Sequence, residues 1–148
     1  MRFFPCFVAL LTLTPLAAAQ TAPAGAPAPA VLGSTVFAWD SLAAQPTKTG
    51  VHRDVYTGPT ATLDKFHCHV STLNPGENTG APHRHPQEEF IILREGTLEV
   101  NISGKTQTVT AGSMIFYAAN ELENMRNVGT VPATYYVIQF FTALTPRQ

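Results

Sequence analysis

The stretch that decides the reading is ENTGAPHRHPQEEFIILREG, residues 77–96. His83 and His85 are two apart in a segment with strand character, and a strand sends alternate side chains to one face. Both imidazoles therefore leave the same side. Imidazole nitrogen is the commonest protein ligand for borderline metals. Glu89 follows after a short turn containing Pro86 and opens the apolar run Phe90–Leu93. A carboxylate there can meet the two imidazoles across a hairpin. Two His and one carboxylate form a facial ligand set that leaves positions open for water, O₂ or substrate. The plainer alternative is a pair of surface histidines beside a turn, since His-x-His alone is a weak motif. Glu88 is next to Glu89 but on the opposite strand face, which makes it a poor second ligand.

These residues and their offsets resemble the cupin superfamily, in particular its small single-domain conserved-barrel members. The family's first motif has two His separated by one residue, then Glu, then Gly. His83, His85, Glu89 and Gly96 stand at those offsets. The Gly expected before the first His is Glu77 here, with Gly76 one residue away. The second motif runs Gly, Pro, Gly, His, Asn. Counting from Gly112 places Ala118 at the Pro position, Asn120 at the second Gly, Glu123 at the His and Asn127 at the Asn. Asn follows Gly in tolerance of a left-handed turn, so Asn120 can keep the bend. The resemblance implies a fourth metal ligand at the position of Glu123. With it, His83, His85, Glu89 and Glu123 make a set of two imidazoles and two carboxylates. Such a set favours Mn²⁺ or Fe²⁺ more than three His would, and Zn²⁺ also accepts it. The other reading of Glu123 turns it away and leaves three ligands.

The rest of the chain agrees with an all-β class. Short β-rich runs bounded by Gly, Pro or Asn recur, and no helical periodicity exceeds two turns. The pattern predicts strands at 35–39, 52–58, 62–73, 81–85, 89–94, 97–102, 105–109, 113–117, 123–128 and 133–142. Leu98, Val100 and Ile102 share one face against Thr97, Glu99 and Asn101. Ser103-Gly104 reads as a tight hairpin turn. Many short antiparallel strands in one small chain mean a sandwich or a closed barrel. The resemblance implies a jelly-roll-like antiparallel β-barrel over residues 31–148.

Upstream, Arg2, the uncharged run Phe3–Leu16 and Ala17-Ala18-Ala19 fit a secretory signal peptide over residues 1–19, cut before Gln20. Residues 20–30, rich in Ala and Pro, read as an extended linker. The expectation is a secreted or periplasmic protein that is off the membrane once the signal is removed. Cleavage takes away Cys6 and leaves Cys68 alone, with no internal disulfide possible. The 148 residues carry 9 Lys+Arg and 10 Asp+Glu, a near-neutral balance without the basic excess that nucleic acid requires.

Three further readings concern the faces of strands. In the run through His67-Cys68-His69, alternation puts Phe66, Cys68 and Val70 on one face, read as the core. His67 and His69 are then expected on an outer or subunit-facing surface. Tyr135–Phe141 is apolar on both faces, which suits a strand covered on both sides and, with the resemblance, leads us to expect a homodimer. Two function classes follow. One is a metal-dependent enzyme acting on a small molecule by oxygenation, decarboxylation or isomerisation. The other is a barrel that holds a sugar-like ligand without turnover.

Overall fold

A computed structural model of the protein describes residues 30–146. The signal peptide and nearly all of the linker lie outside the described residues. The strands are β1 (Gln45–Pro46), β2 (Gly50–Gly58), β3 (Lys65–Leu73), β4 (Glu88–Glu95), β5 (Thr97–Ile102), β6 (Lys105–Thr110), β7 (Met114–Tyr117), β8 (Glu123–Asn127) and β9 (Ala133–Phe141). They form two antiparallel sheets. The larger runs β1-β2-β3-β9-β4-β7, the smaller β6-β5-β8. Together they make a jelly-roll-like barrel that does not close, with β7 and β6 as sheet edges.

Period-two alternation fixes which face looks inward. In β4, Glu89, Ile91 and Leu93 are buried, while Phe90 and Ile92 are only partly covered. In β8, Glu123, Met125 and Asn127 are buried. Leu73, Ile91, Leu93, Leu98, Val100 and Tyr135 belong to the single apolar core between the sheets. Asn127 fastens that core with polar bonds. Its Nδ2 donates to the carbonyls of Leu73 and Val131, both at 2.9 Å, and its Oδ1 accepts from the Gly129 amide. A fully buried amide satisfied three times pins the end of β8 to the end of β3. Asn120 sits at φ 61°, so it does keep the left-handed bend. Ser103 and Gly104 both have positive φ, 49° and 84°, as a tight β5–β6 hairpin needs.

Two expected strands are absent. Residues 35–39 pair with no strand, and Trp39–Ser41 is a single 3₁₀ turn. That segment lies across the outer face of the larger sheet instead. Phe37 meets Tyr56, Trp39 receives the guanidinium groups of Arg53 and Arg94 at 4.9 and 4.3 Å, and Arg53 Nη1 donates to the Leu42 carbonyl. Residues 81–85 likewise form no strand. Gly80 at φ 108° bends the chain, and Pro82 and Pro86 supply no amide for a ladder. What remains is a strap along β8, held by bridges Asn78↔Arg126 and His83↔Glu123.

The face assignment of β3 is also corrected. His69 is opposite Val137, and His67 is opposite Gln139. Val137 is in turn opposite Ile91 and Gln139 opposite Glu89, both inward residues of β4. The histidines therefore share the inner face with Ser71 and Leu73. Cys68 and Val70 are buried on the outer side, beneath the segment that carries Phe37 and Trp39. A covering arm made the outer face apolar, and period-two reasoning took that for the core. The two apolar faces of β9 have a similar explanation within the subunit. β9 is an interior strand between β3 and β4. Among strand residues, the large apolar side chains most open to solvent are on edge strand β7, where Met114 is 68% and Phe116 51% exposed.

Candidate metal centre

Three elements converge between the sheets. β4 supplies Glu89 from the larger sheet, β8 supplies Glu123 from the smaller, and the strap supplies His83 and His85. The strap is placed by backbone bonds in both directions between His83 and Glu123, at 3.0 and 2.9 Å. One ligand-type atom each from His85, Glu89 and Glu123 lie within 4.8 Å of one another. His83 joins through Glu123, with Nε2 3.0 Å from Oε1, and its side chain is 47% exposed. Both carboxylates are buried.

The electrostatics of this group ask for a positive centre. His85 Nδ1 donates to the Gln87 carbonyl at 2.8 Å, which leaves the lone pair of the neutral ring on Nε2. Nε2 is buried without a hydrogen-bond partner among the described residues. It faces Glu123 Oε1 at 3.4 Å and Glu89 Oε2 at 3.5 Å. A lone pair and two carboxylate oxygens around one point repel unless a proton or a cation stands among them. Accordingly the His85 pKa is raised, foremost by the Glu123 carboxylate, with burial opposing. That of Glu89 is raised by burial, opposed by its bond from Gln139 Nε2 at 2.6 Å. The buried Tyr117 hydroxyl lacks a partner too, and burial plus the two carboxylates drive its pKa far upward. The donor set thus fits a divalent ion, held by His85, Glu89 and Glu123 with His83 alongside.

A cavity of about 700 Å³ opens over the group. Its lining also includes His69, Ser71 and His52, which the sequence did not assign to the site. Gln139 was missed as well. Its signal was present: it is the polar exception in the inward series Tyr135, Val137, Gln139. Burial, then His52 and His67, push the His69 pKa down to about 4 from 6.5. The folded protein therefore binds fewer protons than the unfolded chain between those values. Stability from neutral His69 is complete above pH 6.5 and is lost as pH falls towards 4. By pH 4.5 the loss is roughly 2–3 kcal/mol. Denaturant unfolding of metal-free protein at pH 7.5 and 4.5 checks this. His69→Gln should lose less stability than wild type by about that amount.

The Cupin domain family model matches residues 69–139. No curated protein matches the sequence. Solved structures with the same fold include a predicted oxalate decarboxylase from Thermotoga maritima (15% identity, 72% of this chain and 99% of that one, TM-score 0.61). An RmlC-like cupin from Shewanella frigidimarina aligns at 15% identity over 75% of this chain and 95% of its own, TM-score 0.60. The polyketide cyclase RemF from Streptomyces resistomycificus aligns at 20% identity over 74% and 80%, TM-score 0.59. At these identities the likeness speaks for the fold. Taken with the matched segment, which spans the strap, Glu89 and Glu123, it supports a cupin superfamily protein.

Proposed function

We propose that the protein is an exported, metal-dependent cupin that transforms a small molecule in the cavity above His83, His85, Glu89 and Glu123. The observation that carries this is the buried, unpartnered Nε2 of His85 facing two buried carboxylates. A divalent Mn, Fe or Zn ion satisfies all three groups at once. It supplies Lewis acidity or a holding point for an oxygen-bearing ligand. The protein's own part is to orient the donors. Gln139 fixes Glu89, the Gln87 carbonyl fixes the His85 tautomer, and the backbone of His83 fixes Glu123. Oxalate decarboxylation and polyketide cyclisation are named for proteins of this fold, and both are small-molecule reactions.

Elemental analysis after loading with Mn²⁺, Fe²⁺ or Zn²⁺ tests the proposal, with one ion per chain expected. Protein that stays ion-free under all three conditions would make the barrel a ligand-binding module without a metal. The reading includes export and pairing of two copies, the latter favoured by exposed Met114 and Phe116. A mature terminus near Gln20 and a light-scattering mass of two chains are the matching observations.

A further inference from the structure

Beyond β9 from Glu89, a second polar chain runs along the same sheet. On β3, His67 Nε2 lies 3.0 Å from His69 Nδ1. His67 Nδ1 lies 2.7 Å from the hydroxyl of Thr57, its register partner on β2. His69 lines the cavity above the metal centre. His67 and Thr57 line an adjoining cavity, and Thr57 is exposed. His85 and Gln139 belong to both linings. Because His67 occupies Nδ1 of His69, Nε2 is left for whatever the cavity holds.

We propose that His69, His67 and Thr57 form a proton relay, with His69 as the acid–base group of the cavity and Thr57 as its outlet to solvent. Both tautomeric directions are available. When His69 carries its proton on Nδ1, Nε2 takes a proton from the ligand. The Nδ1 proton passes to His67 Nε2, the His67 Nδ1 proton passes to Thr57 Oγ1, and the hydroxyl proton leaves to water. The wall ends neutral, with Thr57 now donating to His67 and His69 Nε2 now a donor. The reverse sequence delivers a proton to the ligand.

The surroundings keep the rings neutral for this role. Burial lowers the pKa of both histidines, and for His67 the neighbouring Lys65 adds to it. From β2, His52 lies against His69 with centroids 4.7 Å apart and ring planes tilted by 38°, and Asp54, held by His52 at 3.0 Å, opposes the lowering. From β9 the facing residues are Val137 and Gln139, both uncharged. The inference rests on the proposed function only in taking this cavity as the place where the ligand sits.

Diethyl pyrocarbonate is the probe, read by mass spectrometry on each histidine. Attack by Nε2 of His69 forms a nitrogen–carbon bond and breaks an anhydride carbon–oxygen bond. Ethyl carbonate leaves, giving CO₂ and ethanol, while the Nδ1 proton passes to His67. At pH 5.5 an ordinary histidine is about one-tenth neutral, whereas His69 stays almost wholly neutral. His69 should therefore react in metal-free wild-type protein at pH 5.5. His67→Gln and Thr57→Val should slow its modification about a hundredfold, the lower end of the range for loss of general acid–base assistance. Thr57→Ser, which restores the hydroxyl, should recover the wild-type rate. Unmodified His69 in wild type, unchanged rates in both variants, or failure of Thr57→Ser to recover the rate would overturn the relay. Because the readout needs no ion, a protein that binds no metal could still pass, and a metal-loaded one could still fail.

Discussion

His85→Ala is expected to take bound metal from one ion per chain to none at micromolar Mn²⁺, Fe²⁺ or Zn²⁺. His85 is the member of the group in contact with both carboxylates. Without it, two buried carboxylates from opposite sheets face each other with no neutral donor between them. His83→Ala should have a smaller effect, since His83 is half exposed and reaches only one of the two carboxylates, Glu123. Glu123→Ala should weaken binding, and Glu123→His should retain late transition metals, which imidazole suits better. A thermal readout separates lost binding from lost folding. An ion at a hundredfold excess over its dissociation constant stabilises wild type by about 2.7 kcal/mol. The alanine variant should unfold cooperatively with no such rise. A His85→Ala protein that keeps one ion per chain would remove His85 from the ligand set.

Gly96→Ala should destabilise the fold by about 3 kcal/mol, from left-handed strain of ~1–2 kcal/mol plus overpacking of ~1–3 kcal/mol. Gly96 joins β4 to β5 at φ 89°. A Cβ there would sit 2.6 Å from Ala133 Cα, 2.7 Å from its Cβ and 2.9 Å from the Pro132 carbonyl oxygen. Ala133 is fully buried in the register of β3 and β9, so the backbone has nowhere to retreat. The midpoint of thermal unfolding should fall by roughly 10 °C for a domain of this size. Gly33→Ala is the control: nothing lies within 4 Å of its added Cβ, so no change is expected.

The fold was legible because its signals are local. Alternation in β4, β5 and β8 and the turn residues Ser103, Gly104 and Asn120 each mean one thing in the chain and the same thing in the structure. Glu89 and Glu123 could be singled out because motif spacing on rigid strands survives divergence. What sequence could not supply was which face of β3 looks inward. Phe66, Cys68 and Val70 are apolar because an arm that forms no strand covers them, and nothing in a period of two distinguishes an arm from a core. That one inversion hid His67 and His69. Residues 81–85 misled for another reason: their alternation matches a strand, but Pro82 and Pro86 permit only isolated bridges.

Those prolines have a kinetic meaning as well. The strap that carries His83 and His85 is tied to β8 by isolated bridges, whereas Glu89 is paired on both sides, by β7 and β9. Local opening of a segment costs far less than global unfolding when few bonds and little apolar contact are lost. Opening of the strap would free both imidazoles while Glu89 stays in its ladder; Glu123, which exchanges both backbone bonds with His83, would loosen with it. The lifetime of an ion held here would then follow opening of the strap rather than global unfolding of the barrel.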